Sequence, residues 1–282
     1  GGVLDAEKIS GMEELLKFVF LLAFVGFGTK AAVFPMYAWL PAASVAPTPV
    51  TALLHAVAVV NAGAYAVLRV AQTVALLLSC FTILFGSTMA VREQHFKRRL
   101  AYSTISNLSY MLMGAALMTP DGMTGSLSHL VIHGVIKITL FYCAGAILIK
   151  TGKEYVQDLR GYSRIMPATC VIFLLGSIAL VGTPPLAGFV SKWNLLTAAS
   201  ATELPMGTVA IVCLIISAIL TAIYLFTAAL PMYFRPLNAD QAQLAGQKLD
   251  PSWMMLVPMG ILCALMIGLG LWSQPLVTFL RN

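Results

Sequence analysis

Residues Ser126–Lys150 read SLSHLVIHGVIKITLFYCAGAILIK. A helix needs roughly 20 mostly apolar residues, at about 1.5 Å rise each, to cross the hydrocarbon core, and this stretch is long enough. Three ionisable residues interrupt it: His129, His133 and Lys137. They stand at i, i+4 and i+8, so a helix aligns them on one face over about 12 Å of rise. A charge at the bilayer centre costs about 3 kcal/mol on insertion scales, so a column of such groups calls for a purpose. Burial disfavours the charged form of an amine, and a lysine held at this depth is therefore poised to take up and release a proton. The column predicts a proton path.

The composition agrees with a membrane setting. Of 282 residues, 59% are hydrophobic and 10% charged, against about a quarter charged in a soluble domain. The apolar residues form separate runs of helical length, not alternating segments of about 10 residues, which predicts an all-α membrane protein and favours a helical bundle over a β-barrel. The net charge of +6 sits mainly in short polar loops and reads as positive-inside topology, not as a nucleic-acid surface. Cys80, Cys143, Cys170, Cys213 and Cys263 are scattered singly through apolar runs, without the CxxC spacing of a metal or cluster site. The start, GGVLDAEKIS, has neither an initiator Met nor a signal-peptide pattern, and a fragment, a processed chain or an incompletely described one is expected.

Working outward from the opening helix, spans are expected near Met12–Lys30, Val50–Arg69, Gln72–Ala90, Ala101–Leu117, Ser126–Lys150, Pro167–Val181, Met206–Leu230 and Trp253–Leu271. A shorter helix, FVSKWNLLTAAS, carries Lys192, giving a polytopic bundle of about eight or nine helices. Two helices are expected to be broken. Pro35, with Pro41, Pro47 and Pro49, interrupts 31–48, and GTPPLAG interrupts 182–188 through Gly182, Pro184, Pro185 and Gly188. The expected organisation is one membrane domain over 1–282, with a proton-channel half at 12–200 and C-terminal helices at 206–282. The segments VREQHFKRRL and KTGKEYVQDLRGYSR are basic and separated by two spans, so both belong on the cytoplasmic side; MTPDGMTG, with an acid and no base, suits the opposite face.

Sorting ionisable residues by depth leaves Lys30, His55, His129, His133, Lys137 and Lys192 inside apolar runs or at their ends. The 11 acids all lie in loops or near span ends. Lys30 and Lys192 could instead snorkel to headgroups, and His55 could be a hydrogen-bonded packing residue. Lys137 lies more than ten residues from either end of its run, too deep to snorkel. Each proline break neighbours one of the outer lysines, and irregular backbone at membrane depth belongs where it lines a polar cavity or is buried in protein. No GxxxxGK[ST], GxGxxG or HExxH motif occurs, so no nucleotide, flavin or metal site is expected.

Four segments carry a family resemblance: KAAVFPMYAWLPAASVAPTPVTALLHAVAVVNAGAY, RRLAYSTISNLSYM, HLVIHGVIKITLFYCAGAI and GTPPLAGFVSKW. In this order, over about Phe18–Ala199, the chain resembles the proton-translocating, antiporter-like membrane subunits of respiratory complex I. Relatives of those subunits occur in Mrp cation/proton antiporters, membrane-bound hydrogenases and formate hydrogenlyases. The resemblance implies that Lys30 is the lysine of the first broken helix, tuned by a glutamate from an earlier helix. It implies that His55 links half-channels, Lys137 is the central lysine, His129 and His133 are its preceding histidines, and Lys192 is the exit-side residue, acidic in some relatives. The family fold has about fourteen spans in two inverted repeats. This chain starts near the middle, so it is expected to hold the second half-channel and to lack most of the first.

The functional expectation is a proton-conducting subunit of a redox-driven ion pump, itself without redox cofactor or metal. As an enzyme component it would be a non-redox membrane subunit of a translocase, NADH:quinone oxidoreductase-like or hydrogenase-like. Its partners would be other membrane subunits, lipid, and a chain or segment supplying the missing half and an acid for Lys30. A prokaryotic cytoplasmic membrane is the expected location. One alternative is an Mrp-type sodium/proton antiporter subunit, although a dehydrated cation wants oxygen ligands and an interior of amines and imidazoles offers few. The other is a truncated, non-conducting structural subunit.

Overall fold

The computed structural model describes residues 26, 29, 34, 37–43, 72–202, 206–238 and 248–281. Apart from Gly26 and Thr29, the expected span at Met12–Lys30 lies outside the described residues, as do the span at Val50–Arg69 and the candidate residues Lys30, Pro35 and His55. Within them the chain forms α1 (Trp39–Ala43), α2 (Gln72–Arg92), α3 (Phe96–Ala116) and α4 (Pro120–Thr151). Two 3-10 turns (Val156–Leu159, Tyr162–Arg164) then lead into α5 (Pro167–Val181), α6 (Ala187–Ser200), α7 (Met206–Phe234), α8 (Trp253–Leu271) and α9 (Gln274–Arg281). Four of these, in α2, α4, α7 and α8, are long and apolar enough to cross a membrane. The polytopic helical bundle read from the sequence is the fold observed.

The central element is α4, which packs against α3, α5, α6, α8 and α9. It is longer than its apolar run. Thr119 caps it by accepting from Gly122 N at 3.0 Å, Pro120 fills the first turn, and Gly152 (φ +68°) closes it by donating to Leu148 O at 2.8 Å. This is the Thr–Pro start and left-handed Gly stop that helix ends favour. The segment PDGMTG, read from its polarity as a loop, is therefore helical. A second boundary moves likewise: α3 starts at Phe96, with His95 as its N-cap, so Lys97, Arg98 and Arg99 are helical and not loop residues. Polarity marks where a helix leaves the apolar layer, whereas capping marks where it ends. Of α3, only Arg98 and Tyr102 escape burial.

The two basic segments meet at one end of the bundle, as their charge predicts. Phe96 N donates to Glu154 O at 2.8 Å, Val156 N donates to Gln94 O at 3.0 Å, and His95 Nε2 lies 3.1 Å from Glu154. The segment before α8 joins that end, with Leu249 N donating to Ile165 O at 2.8 Å. At the other end Arg281 of α9 pairs with Asp121 of α4 at 3.5 Å. Trp253 and Trp272 flank α8 and are 71% and 76% exposed. They stand about 28 Å apart along the axis, close to the roughly 30 Å hydrocarbon thickness, as an aromatic belt requires.

Asp250 supplies a cap that α5 lacks locally. Its carboxylate accepts from Thr169 N at 3.1 Å, Ala168 N at 3.3 Å and Thr169 Oγ1 at 3.0 Å, satisfying orphan donors at the positive end of α5. Substituting Asp250→Ala is expected to lower unfolding free energy by about 1 kcal/mol, the usual worth of an N-cap. Denaturant titration of the detergent-solubilised protein reads this, and an unchanged midpoint would refute the cap.

Two large apolar clusters and one small one hold the described part of the bundle. The first includes Phe96, Leu100, Leu140, Phe173, Tyr224 and Met232; the second includes Leu76, Ile83, Tyr110, Leu112, Leu195 and Cys213; the small one is Leu40, Ile105, Leu108 and Met111. Along α2, α3 and α7 buried polar residues lie between the two large clusters: Ser87, then Ser103, Ser106 and Asn107, then Ser217 and Thr221. The column of α4 adjoins this polar layer.

Candidate functional site

Lys137 is fully buried. Its Nζ donates to Leu100 O at 2.7 Å and to Ser103 Oγ, both on α3, and lies 5.9 Å from the Phe141 ring centre. The ion pairs among the described residues, His95–Glu154 and Arg281–Asp121, stand at helix ends, so none of those carboxylates neutralises it. A carbonyl and a hydroxyl solvate the ammonium without balancing its charge. Such a group responds strongly to any charge that changes nearby.

From Lys137 the column runs toward α6. The rings of His129 and His133 stack, with centres 5.7 Å apart and planes 19° from parallel, and both residues are buried. His129 Nδ1 bonds Ser191 Oγ at 2.9 Å, and the Tyr110 ring meets His129 edge-on at 5.5 Å. Ser191 precedes Lys192, whose Nζ lies 5.4 Å from the Tyr110 ring centre. The structure thus gathers Lys137, His133, His129 and Lys192 between α3, α4 and α6.

The break between α5 and α6 aims Lys192. Gly182 adopts φ +93°, and a Cβ there would stand 2.9 Å from Lys192 Cδ. Leu180 and Val181 end α5 with carbonyls that have no helical partner ahead. Lys192 Nζ donates to them at 2.8 and 3.0 Å. Gly188 lets α6 touch α5, because a Cβ there would fall on the Ala179 carbonyl oxygen. Pro184 and Pro185 lie in the connection itself, joined by a cis peptide.

Several site residues carry no obvious sequence mark. Ser191 and Tyr110 are contacts of the column made across 62 and 19 residues. Ser87, Ser106 and Ser217 bond one another at 2.5–3.1 Å. The hydroxyl richness of RRLAYSTISNLSYM was the available signal for Ser103 and Ser106, but nothing pointed to α7. Arg99 turns inward, donating to Glu93 O, Tyr224 O and Thr227 Oγ1, each at 2.9 Å. The five cysteines are buried free thiols.

Residues 2–221 match the family described as NADH:quinone oxidoreductase/Mrp antiporter, transmembrane. The chain belongs to that family. It is 32% identical to NADH-quinone oxidoreductase subunit N of Desulforudis audaxviator, over 94% of this chain and 56% of the relative. Its structure superposes with TM-score 0.83 and 25% identity on a chain of the membrane-bound sulfane sulfur reductase, an archaeal respiratory membrane complex, covering 93% of this chain and 54% of that one. It shares the fold of a chain in the Mrp complex from Dietzia sp., with TM-score 0.82, 24% identity and coverage of 94% and 58%. The chain spans just over half the length of each of these proteins. The family is the one its motifs resemble, and the chain is an antiporter-like integral membrane protein.

Proposed function

We propose that this NADH:quinone oxidoreductase/Mrp antiporter family chain conducts protons for a redox-driven ion pump, through a relay of Lys137, His133, His129 and Lys192, with Lys30 and His55 extending it. The observation that carries this reading is the buried column on one face of α4: a fully buried Lys137, the stacked His133 and His129 rings one and two turns before it, and the His129–Ser191 bond that reaches α6 beside Lys192. A lysine surrendering its proton to a neutral imidazole, with water carrying the proton between the stacked rings toward Ser191, moves charge without moving helices. The driving force required is modest. One charge crossing 100 mV is worth about 2.3 kcal/mol, and one pKa unit about 1.36 kcal/mol, so an electrostatic change of under two units at Lys137 drives a step.

In this reading the chain binds no redox cofactor, works among other membrane subunits, and receives an acidic partner for Lys30 from a neighbouring chain or segment. The cytoplasmic side is the end where the basic segments meet, in a prokaryotic cytoplasmic membrane. For Lys192 a second reading has support: its bonds to Leu180 and Val181 carbonyls cap α5, a structural task.

The histidines separate these readings. Replacing both His129 and His133 by leucine keeps the volume and leaves both lysines in place. Proton uptake by proteoliposomes holding the assembled complex is expected to fall about a hundredfold, the low end of the 10²–10⁴ that one acid–base group contributes in enzymes. Full uptake with normal assembly would exclude the relay and leave the structural reading.

A further inference from the structure

The end where the basic segments gather carries a site that the relay does not use. A cavity of about 290 Å³ lies between the α2–α3 link, the first 3-10 turn and α7. Arg99, Arg160 and Arg235 line it, with Gln94, Gln157 and Thr227, and no acid among the described residues does. The side chains of Arg160 and Arg235 have no hydrogen-bond or ion-pair partner among the described residues. Arg99 is held rigidly through Nε and Nη1, by bonds to Glu93 O, Tyr224 O and Thr227 Oγ1. Arg160 and Arg235 thus bring two unpartnered guanidinium groups to one cavity beside Arg99, and a multidentate anion supplies what they lack; phosphate oxygens match the guanidinium fork.

The cavity continues into an apolar groove. The groove holds about 600 Å³ along the outer face of α7 and is lined by Ile223, Phe226, Leu230 and Phe234. It shares Thr227, Pro231 and Arg235 with the arginine cavity. Phe234 is 82% exposed and Leu230 46%. A free phosphate would fill the first part and leave the second unused, whereas a molecule with an anionic head and an acyl tail fills both. The position fits too: the arginines stand at the end that charge assigns to the cytoplasm, and the groove runs from there toward the bilayer interior.

We propose that the Arg99–Arg160–Arg235 cavity binds the phosphate headgroup of an anionic phospholipid, with an acyl chain lying along Phe226, Leu230 and Phe234. Such a lipid ties the α2–α3 link to α7 and the first 3-10 turn. It also steadies the first turn of α3, where Leu100, next to Arg99, offers its carbonyl to Lys137.

The test uses the detergent-purified, delipidated complex containing the full chain. The probe is phosphatidylglycerol with a photoactivatable acyl chain, and crosslinks are mapped by peptide mass spectrometry. Crosslinks are expected within 222–235, and the Arg160→Gln/Arg235→Gln double variant is expected to weaken the apparent affinity about thirtyfold, the loss of two cationic contacts. Arg235 is exposed and Arg160 half-buried, so folding is expected to be retained, and an unchanged melting curve verifies it. Unchanged crosslinking in the double variant overturns the site. Equal crosslinking by phosphatidylcholine with the same chains overturns its anionic selectivity and with it the proposal. Competition by inorganic phosphate at concentrations that leave micelles intact would make this a free-phosphate site and overturn the lipid assignment.

Discussion

Replacing Lys137 by methionine is expected to cut proton translocation by the assembled complex about a hundredfold while leaving its stability unchanged or slightly raised. Without a titratable group at this depth, a proton crossing the segment must exist as an unsolvated charge. That penalty is about 3 kcal/mol, or about a hundredfold in rate at 1.36 kcal/mol per decade. Stability moves the other way. The ammonium is fully buried, and its hydrogen bonds are to Leu100 O and Ser103 Oγ. Methionine fills the same unbranched volume with a soft, apolar chain, and removing an unbalanced buried charge is neutral to stabilising. Ser103 keeps its bond to Leu100 O at 2.8 Å, so no hydroxyl is orphaned. A lysine serving as a strut would show the reverse pattern, with stability lost and flux preserved. Lys137→Arg supplies a further discrimination. It keeps the charge and the donors but cannot release a proton in this range, so flux is expected to stay low. Proton pumping in proteoliposomes and a denaturation midpoint, read on the same preparations, decide the matter. Wild-type pumping by the arginine variant would mean that a fixed charge, and not proton exchange, is required.

How much of this could be read in the chain depends on distance along it. The His129–His133–Lys137 column is a property of one helix, because side chains four residues apart must share a face. The break at 182–188 was equally legible, since Gly182 takes a left-handed backbone and prolines end helices. Family membership, too, rests on local motifs. The helix ends differ from the ends of the apolar runs for a physical reason. Hydropathy reports depth in the bilayer, while α4 runs on through PDGMTG because Thr119 caps it and α3 starts early because His95 does. By sequence Arg99 belongs to a basic segment with Lys97 and Arg98, yet one turn of helix aims it at carbonyl and hydroxyl groups of α7, 125 and 128 residues away. No local pattern encodes that meeting. The same holds for Ser191 and Ser217, which are ordinary small polar residues until the packing of α6 and α7 brings them to the column and to α3.

Substituting Gly188→Ala is expected to destabilise the protein by about 1–3 kcal/mol, the range for overpacking a tight contact, and to lower proton flux with it. In a helix interior Gly→Ala ordinarily stabilises, by about 0.5–1 kcal/mol. Gly188 opposes that trend because its missing Cβ is the space occupied by the Ala179 carbonyl oxygen of α5. The obstacle is backbone, so no rotamer change relieves it; α6 must move away from α5. Lys192 lies one turn further along α6, and its reach to Leu180 O at 2.8 Å and Val181 O at 3.0 Å leaves little room for such a shift. The two carbonyls would lose their donor, and Ser191, bonded to both Gly188 O and His129, would be carried off with it. Two companions make the expectation sharp. Gly268→Ala, on α8 with nothing within 4 Å of the added methyl, is expected to be neutral or stabilising by the ordinary helix effect. Adding Ala179→Gly to Gly188→Ala is expected to give no rescue, because it removes a side chain and not the offending oxygen. Recovery of stability in that double variant, measured by denaturant titration, would show that α5 and α6 meet through side chains and that Lys192 is positioned by something other than this contact.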